Sequence, residues 1–130
     1  MKFEHFALNV PDARASVNWY TNHLELRVVR SKPDEPFTTF LAEETGRVIM
    51  ELYTNRAAPV PDYASIHPLC FHVAFEVDDP DATSTRLQSA GASAAYEETL
   101  PDGSYLVMLR DPWGVPLQLV RRATPFSSSS

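Results

Sequence analysis

Several features that mark whole classes of protein are scarce or missing in this sequence. It has a single cysteine, Cys70, which makes an intramolecular disulfide impossible and favours a reducing compartment. Its 17 acidic residues outnumber its 11 basic residues, and no basic cluster suited to a phosphate backbone is visible. No apolar run approaches the roughly eighteen residues that a membrane span needs. We therefore expect neither a nucleic acid partner nor a membrane partner.

Length and composition predict one globular domain in the cytoplasm. The chain has 130 residues, of which 44% are hydrophobic and 22% charged, an ordinary balance for a folded domain. The first residues, Met1–His5, lead directly into a strand-like pattern, so no signal peptide is expected. The serines at 127–130 indicate a flexible tail. The predicted domain therefore spans residues 1–126.

The most informative feature is an internal repeat. The segment from His5 to Asp12 and the segment from His72 to Asp79 both follow the pattern His-x-Ala-x-x-Val-x-Asp. The offset between the two copies is 67 residues throughout. Similarity at a constant offset indicates a duplicated structural unit.

Each copy is predicted to form a β-α-β-β-β unit, which makes the fold α+β. The strand-like repeat segment ends at Asp12 or Asp79, residue types that favour the N-cap of a helix. Helical spacing places Val17, Tyr20 and Leu24 on one face of the first helix. The expected helices lie near Asp12–Leu24 and Asp79–Ala90, and the expected later strands near 27–31, 36–42, 47–53, 94–98, 104–110 and 115–122.

These elements group into two modules within the domain. Module 1 covers about residues 1–53 and module 2 about residues 69–122. The segment between them, 54–68, is rich in proline and is predicted to be a connector.

Equivalent polar residues interrupt the apolar strands of the two modules. Strand alternation places His5 and Glu51 on one face in the first module, and His72 and Gln118 on one face in the second. Both pairs are separated by 46 residues. Burial of the Glu51 carboxylate in an apolar strand would be costly unless a cation or hydrogen bonds neutralise it.

Two imidazoles, a carboxylate and an amide oxygen suit a borderline divalent ion. Taken singly, a histidine that opens a strand is more often a hydrogen-bonded structural residue, and a strand glutamate more often faces solvent. The shared spacing favours the metal interpretation, because four residues with unrelated structural roles would have no reason to occupy equivalent positions in the two modules. We therefore predict a site for one divalent ion formed by His5, Glu51, His72 and Gln118.

Further side chains are candidates for contact with a small-molecule substrate. Cys70 is expected on the same strand face as His72, although a lone strand cysteine is more often a small buried hydrophobe. The aromatic and apolar candidates are expected to form the wall of a substrate pocket. The predicted substrate-binding residues are Asn9, Tyr53, Cys70, Tyr105 and Val107.

At these residues the sequence resembles the vicinal oxygen chelate superfamily, which includes glyoxalase I, bleomycin-resistance proteins and extradiol dioxygenases. The resemblance covers about residues 1–122. It is carried by the His5 strand, Ser16–Tyr20, Leu24–Leu26, Glu51, His72–Val77, and Asp111-Pro-Trp-Gly114 leading to Gln118. It implies that the two βαβββ modules form a cup-shaped mixed sheet around a nickel, zinc, manganese or iron ion. It also implies a homodimer in which each site is shared between subunits.

Within that superfamily the order of candidate ligands is similar to that of bacterial glyoxalase I. The first three positions match its His–Glu–His order, whereas Gln118 stands where a glutamate is usual. Asn9 stands where glyoxalase I usually has an arginine that helps to hold glutathione. The resemblance therefore does not extend to that glutathione contact.

The resemblance implies a metal-dependent lyase or isomerase similar to lactoylglutathione lyase. The metal would polarise a carbonyl or enediolate oxygen of a small substrate during proton transfer at the neighbouring carbon. Glu51 is the only carboxylate in the set and is the candidate general base. Two alternatives remain open. One is a bleomycin-resistance-type protein that sequesters a ligand without catalysis, and the other is a ferrous-iron dioxygenase built on His5, His72 and Glu51.

Overall fold

The computed structural model describes residues 1–126 and divides into two compact units. The first unit is Met1–Pro61 and the second begins at Asp62, so the boundary falls inside the predicted connector. The expected tail at 127–130 lies outside the described residues. Among the described residues, no helix is long and apolar enough to cross a membrane.

The first unit is a four-stranded mixed sheet with one helix. Its strand order is β1-β4-β3-β2, in which β1 and β4 are parallel and the other pairs are antiparallel. The elements are β1 (Phe6–Asn9), α1 (Ala13–His23), β2 (Arg27–Ser31), β3 (Thr39–Ala42) and β4 (Val48–Tyr53).

The second unit repeats this topology. Its strand order is β5-β8-β7-β6, with β5 and β8 parallel and the other pairs antiparallel. A short 3-10 turn, Tyr63–Ser65, precedes the sheet. The remaining elements are β5 (Val73–Glu76), α2 (Pro80–Ser89), β6 (Ser93–Thr99), β7 (Tyr105–Arg110) and β8 (Pro116–Arg121). The prediction of an α+β fold with two βαβββ modules is confirmed.

Both helices begin at the predicted aspartates. The Oδ1 atom of Asp12 accepts a hydrogen bond from the backbone N–H of Ala15, and that of Asp79 accepts one from Ala82. Each bond satisfies one of the N–H groups that the first turn of a helix leaves unpaired. The equivalent caps explain why each helix starts at the same distance from its strand.

The buried face of α1 differs from the predicted one. Tyr20 is fully buried as expected, but Val17 and Leu24 are only half-buried. The residues that pack inward with Tyr20 are Ala13, Ser16 and Trp19. Small side chains at the first two of these positions let the helix backbone lie close to the sheet. Val17 and Leu24 lie at the margin of the interface between the helix and the sheet.

Candidate functional site

The first unit brings His5 to Glu51. Ala7 of β1 pairs with Glu51 of β4, and His5, two residues before Ala7, lies on the same face. The Nε2 atom of His5 is 3.4 Å from Oε1 of Glu51. Both side chains are half-buried, with exposed fractions of 29% and 17%.

The second unit brings His72 to Gln118 in the same way. Ala74 of β5 pairs with Gln118 of β8, and His72 lies two residues before Ala74. The amide nitrogen of Gln118 is 3.3 Å from Nε2 of His72. Gln118 is buried, with 7% of its surface exposed. Each unit therefore joins its histidine to the polar residue 46 positions later.

The other ring nitrogen of each histidine is held by an oxygen atom. The Nδ1 atom of His5 is 2.8 Å from Oε1 of Glu4, and that of His72 is 2.8 Å from the carbonyl oxygen of Pro68. A carbonyl and a carboxylate only accept, so Nδ1 carries the proton in both rings. In the neutral rings the lone pair is therefore on Nε2, which faces Glu51 or Gln118. Histidines that ligate metals are commonly oriented in this way.

The contact between His5 and Glu51 calls for a positive charge. With Nδ1 protonated, a neutral His5 ring turns a lone pair towards the Glu51 carboxylate. Two acceptors at this distance repel each other unless a second proton on the ring or a metal ion supplies positive charge between them. The imidazole and the Phe40 ring are nearly perpendicular, with the centroids 5.3 Å apart. Because Phe40 pairs with Glu51 across β3 and β4, its ring lies beside both the imidazole and the residue that carries the carboxylate.

The candidate ligands are divided equally between the two units. Within residues 1–126, no cluster contains three or more His, Cys, Asp or Glu side chains placed to hold a metal ion. The first unit supplies an imidazole and a carboxylate, and the second supplies an imidazole and an amide. Each unit therefore offers half of the predicted ligand set.

Asn9 lies on the face of Glu51, but its side chain holds a loop. The Nδ2 group donates to the carbonyl oxygens of Asn55, Ala58 and Pro59 at 3.0, 3.1 and 3.3 Å. Its Oδ1 atom accepts from the backbone N–H of Asn55 at 2.8 Å. Tyr53 pairs with Asn9 and is half-buried on the same face. Within residues 1–126, the side chain of Tyr53 makes no comparable hydrogen bond to a loop.

Tyr105 and Val107 lie on the face of the sheet opposite Gln118. Gln118 pairs with Met108, so the neighbouring Val107 points to the other side. The Tyr105 hydroxyl donates to Oδ1 of Asp81, on α2, at 2.6 Å and is 2.9 Å from a carboxylate oxygen of Glu97. The hydrogen bond to Asp81, followed by desolvation and the contact with Glu97, raises the pKa of Tyr105. Tyr105 and Val107 therefore do not form a pocket wall on the face that carries Gln118.

The apolar side chains that share the face of Gln118 are different ones. Strand pairing places Leu106 opposite Val120 and Met108 opposite Gln118. All three apolar residues are buried. Alternation counted along β8 from Gln118 would have identified Val120, but only the strand register identifies Leu106 and Met108.

Cys70 does not belong to a strand. Strand β5 begins at Val73, and Cys70 lies in a turn where its N–H donates to the carbonyl of His67 at 2.8 Å. Its side chain is an exposed free thiol. The expectation that Cys70 shares a strand face with His72 is therefore wrong, because alternation does not extend into the turn.

The Asp111–Gly114 turn delivers the chain into β8 and thus to Gln118. The buried carboxylate of Asp111 accepts from the N–H groups of Trp113 and Val115, both at 2.9 Å. Gly114 has a φ of +95°, a conformation that L side chains rarely adopt. Arg110, which precedes the turn, was not singled out from the sequence because a charged residue at a strand end is usually solvated.

Comparison with known proteins identifies the family. The model of the Glyoxalase/Bleomycin resistance protein/Dioxygenase superfamily matches residues 2–119. The chain belongs to this superfamily. A lactoylglutathione lyase from Salmonella typhimurium is 25% identical over 127 residues, covering 92% of each chain.

Solved structures agree on the fold. A lactoylglutathione lyase from Agrobacterium tumefaciens has a TM-score of 0.66 and 22% identity, covering 92% of each chain. TnmS3, an antibiotic binding protein from Streptomyces sp. CB03234, has a TM-score of 0.69 and 18% identity, covering 95% of this chain and 97% of its own. The superfamily contains both enzymes and non-enzymes, its members bind small molecules, and they generally use a divalent metal.

Proposed function

We propose that this protein is a divalent-metal-dependent, glyoxalase I-like lyase or isomerase. It would transfer a proton at a carbon next to a carbonyl or enediolate oxygen of a small substrate. The observation that carries the proposal is the matched pairing of His5 with Glu51 and of His72 with Gln118. The lactoylglutathione lyase relative from Salmonella typhimurium supports the same class of reaction.

The four paired residues are proposed to hold the ion, which would be nickel, zinc, manganese or iron. Both imidazoles present an Nε2 lone pair, and Glu51 supplies the negative charge that a divalent cation needs. Rotation of the Gln118 amide by half a turn exchanges the positions of its nitrogen and oxygen atoms. The oxygen is the atom through which an amide binds a metal ion. When bound, the metal supplies positive charge that stabilises negative charge on a substrate oxygen.

Glu51 is proposed to act as the general base. It is the only carboxylate among the four residues, and its side chain is 17% exposed. A proton taken from the substrate carbon by Glu51 can be returned to the neighbouring carbon of the enediolate, so the residue ends the cycle unprotonated. His5 contacts both the Glu51 carboxylate and the Phe40 ring, so the two rings form part of the surroundings of the base.

Metal binding and turnover test this proposal together. The metal-stripped protein should bind nickel, zinc, manganese or iron in calorimetric titrations and then isomerise a hemithioacetal substrate. Glu51→Ala and His72→Ala should abolish metal retention or turnover, whereas Cys70→Ser, which changes an exposed thiol, should retain both. Absence of binding by the wild-type protein for all four metals would reject the proposal.

A second candidate is a protein that sequesters a ligand without catalysis. It is favoured by the neutral hydrogen bond between Gln118 and His72, which satisfies both groups without a metal ion. Metal content and the effect of a chelator separate the two candidates. A protein that binds its small ligand without a metal should keep the same affinity for that ligand after chelation. Oxygen consumption with ferrous iron would instead support the dioxygenase alternative.

A further inference from the structure

Arg110, the last residue of β7, makes an unusual set of contacts for a half-buried arginine. Its Nη1 group donates to the carbonyl oxygens of Tyr63 at 2.9 Å and Gly114 at 3.1 Å. Its Nη2 group donates to the carbonyl oxygen of Ile66 at 2.8 Å. Hydrogen bonds from a charged donor are stronger than neutral ones, and a planar guanidinium holds its acceptors in a defined geometry.

The backbone that Arg110 holds leads directly to His72. The carbonyl of His67 accepts from the N–H of Cys70 at 2.8 Å, and the His67 ring accepts from the N–H of Leu69 at 3.0 Å. These contacts make a compact turn around Pro68, which is buried. The carbonyl of Pro68 then accepts the Nδ1 proton of His72 at 2.8 Å.

We propose that Arg110 is a positioning residue for His72. By holding the carbonyls of Tyr63 and Ile66, it fixes the turn that carries the carbonyl of Pro68. That carbonyl keeps the ring proton on Nδ1 and directs Nε2 towards Gln118. The consequence for metal binding rests on the proposed function, whereas the orientation of the ring does not.

A second contact constrains the same segment from another side. A Cβ atom at Gly114 would lie 2.6 Å from the backbone nitrogen of Ala64, so the turn after β7 and the 3-10 turn are in direct contact. Arg110 bonds to both sides of this contact, through Gly114 and Tyr63. By contrast, the carboxylate that holds His5 belongs to Glu4, which is 81% exposed. The proton of His72 is therefore held by a constrained backbone group and that of His5 by a freely solvated side chain.

The tautomer of His72 provides the direct test. Nitrogen NMR of the histidine-labelled, metal-free protein would be recorded well above the ordinary histidine pKa of about 6.5. A His72→Gln spectrum would assign the signal. The wild-type ring should be protonated on Nδ1. Arg110→Met should increase the population protonated on Nε2 and should weaken metal binding by about tenfold. Arg110→Lys, which keeps the charge but loses the planar fork, should give an intermediate result.

Arg56→Met is the matched control, because Arg56 is an exposed arginine that pairs with Glu35 in the first unit. It should leave the His72 signal unchanged. A folded Arg110→Met protein with the wild-type tautomer population would overturn the proposal. If Arg110→Met does not fold, an unchanged His72 signal in Arg110→Lys would overturn it instead. A tautomer shift in a protein that binds no metal would support the positioning role and reject the metal-dependent function.

Discussion

Glu51 and Gln118 occupy equivalent strand positions, yet they differ in charge. The Glu51 carboxylate faces Nε2 of its histidine and needs a positive partner, whereas the Gln118 amide donates to Nε2 of His72 and remains neutral. The proposed ligand set therefore carries one formal negative charge instead of two. A substrate with an anionic oxygen is favoured by this charge, because more of the positive charge of a divalent ion remains available to it.

Gln118→Glu should strengthen metal binding. The added carboxylate neutralises more of the charge of the ion, and an increase of about tenfold in affinity corresponds to about 1.4 kcal/mol. Calorimetric titration of the metal-stripped variant would measure the change. The control is Gln88→Glu, because Gln88 lies on α2 and bonds to Ser84. An unchanged or weaker affinity in Gln118→Glu would place Gln118 outside the ligand set.

The Tyr105 hydroxyl should ionise only above the ordinary tyrosine range. Its hydrogen bond to Asp81 raises its pKa above the ordinary value of 10. The folded chain thus holds this proton more tightly than the unfolded chain, so the stabilisation is present below about pH 10 and is lost at higher pH. In Tyr105→Phe, one step above pH 10 in the tyrosinate absorbance titration should disappear. Tyr53→Phe should keep that step, and its loss there instead would contradict the assignment.

At the scale of elements, the turn between β7 and β8 links the fold to the site. Asp111 closes the turn through two backbone N–H groups, and the strand that follows carries Gln118. Gly114 ends the turn in close contact with Ala64. The turn thereby sets both the start of β8 and the place of the segment that leads to His72.

Gly114→Ala should destabilise the protein far more than Gly103→Ala. Both glycines have a φ above +90°, so alanine costs about 1–2 kcal/mol at either position. Only at Gly114 does the new Cβ meet backbone, 2.6 Å from Ala64, whereas at Gly103 its nearest neighbour is 3.8 Å away. Overpacking should add about 1–3 kcal/mol at Gly114. Urea unfolding would compare the variants, and equal losses would argue against the close contact.

At the scale of the whole molecule, two candidate ligands per unit are too few for a stable divalent site. Such sites usually have at least three protein ligands. We propose a homodimer in which His5 and Glu51 of one subunit act together with the partner subunit's His72 and Gln118. Two equivalent sites then follow from two-fold symmetry. Superfamily members often form dimers, which supports this assembly.

Mixing two inactive variants would test the shared site. If ligands are shared, a dimer of one His5→Ala chain and one His72→Ala chain contains one intact site and one doubly damaged site. After subunit exchange of equal amounts, about a quarter of the wild-type activity should return. Sedimentation would verify the dimer, and a mixture of two His72→Ala preparations is the control. No recovery after demonstrated exchange would place each site within a single chain.

Much of the fold followed from the repeat. Strand β2 has the predicted bounds, and the other helices and strands differ from expectation by a few residues. Strand β3 begins at Thr39 and not at Pro36, because Phe37 has a φ of +58°, which is not strand backbone. Tyr105 and Val107 were expected in the wall of a substrate pocket, but the pairing of Met108 with Gln118 places them on the opposite face. Alternation alone does not specify that pairing.

The sequence by itself determined the two βαβββ units and the partners within each candidate pair. The constant offset of 67 and the spacing of 46 carry this information, because parallel pairing of the first and last strands places equivalent residues side by side. Only the tertiary structure decided that Asn9 holds a loop, and that Pro68 and Arg110 control the orientation of His72. Those roles depend on backbone carbonyls, those bound by Asn9 and Arg110 being far away in the sequence. Every residue type has a carbonyl, so no pattern of side chains reveals which one will be used.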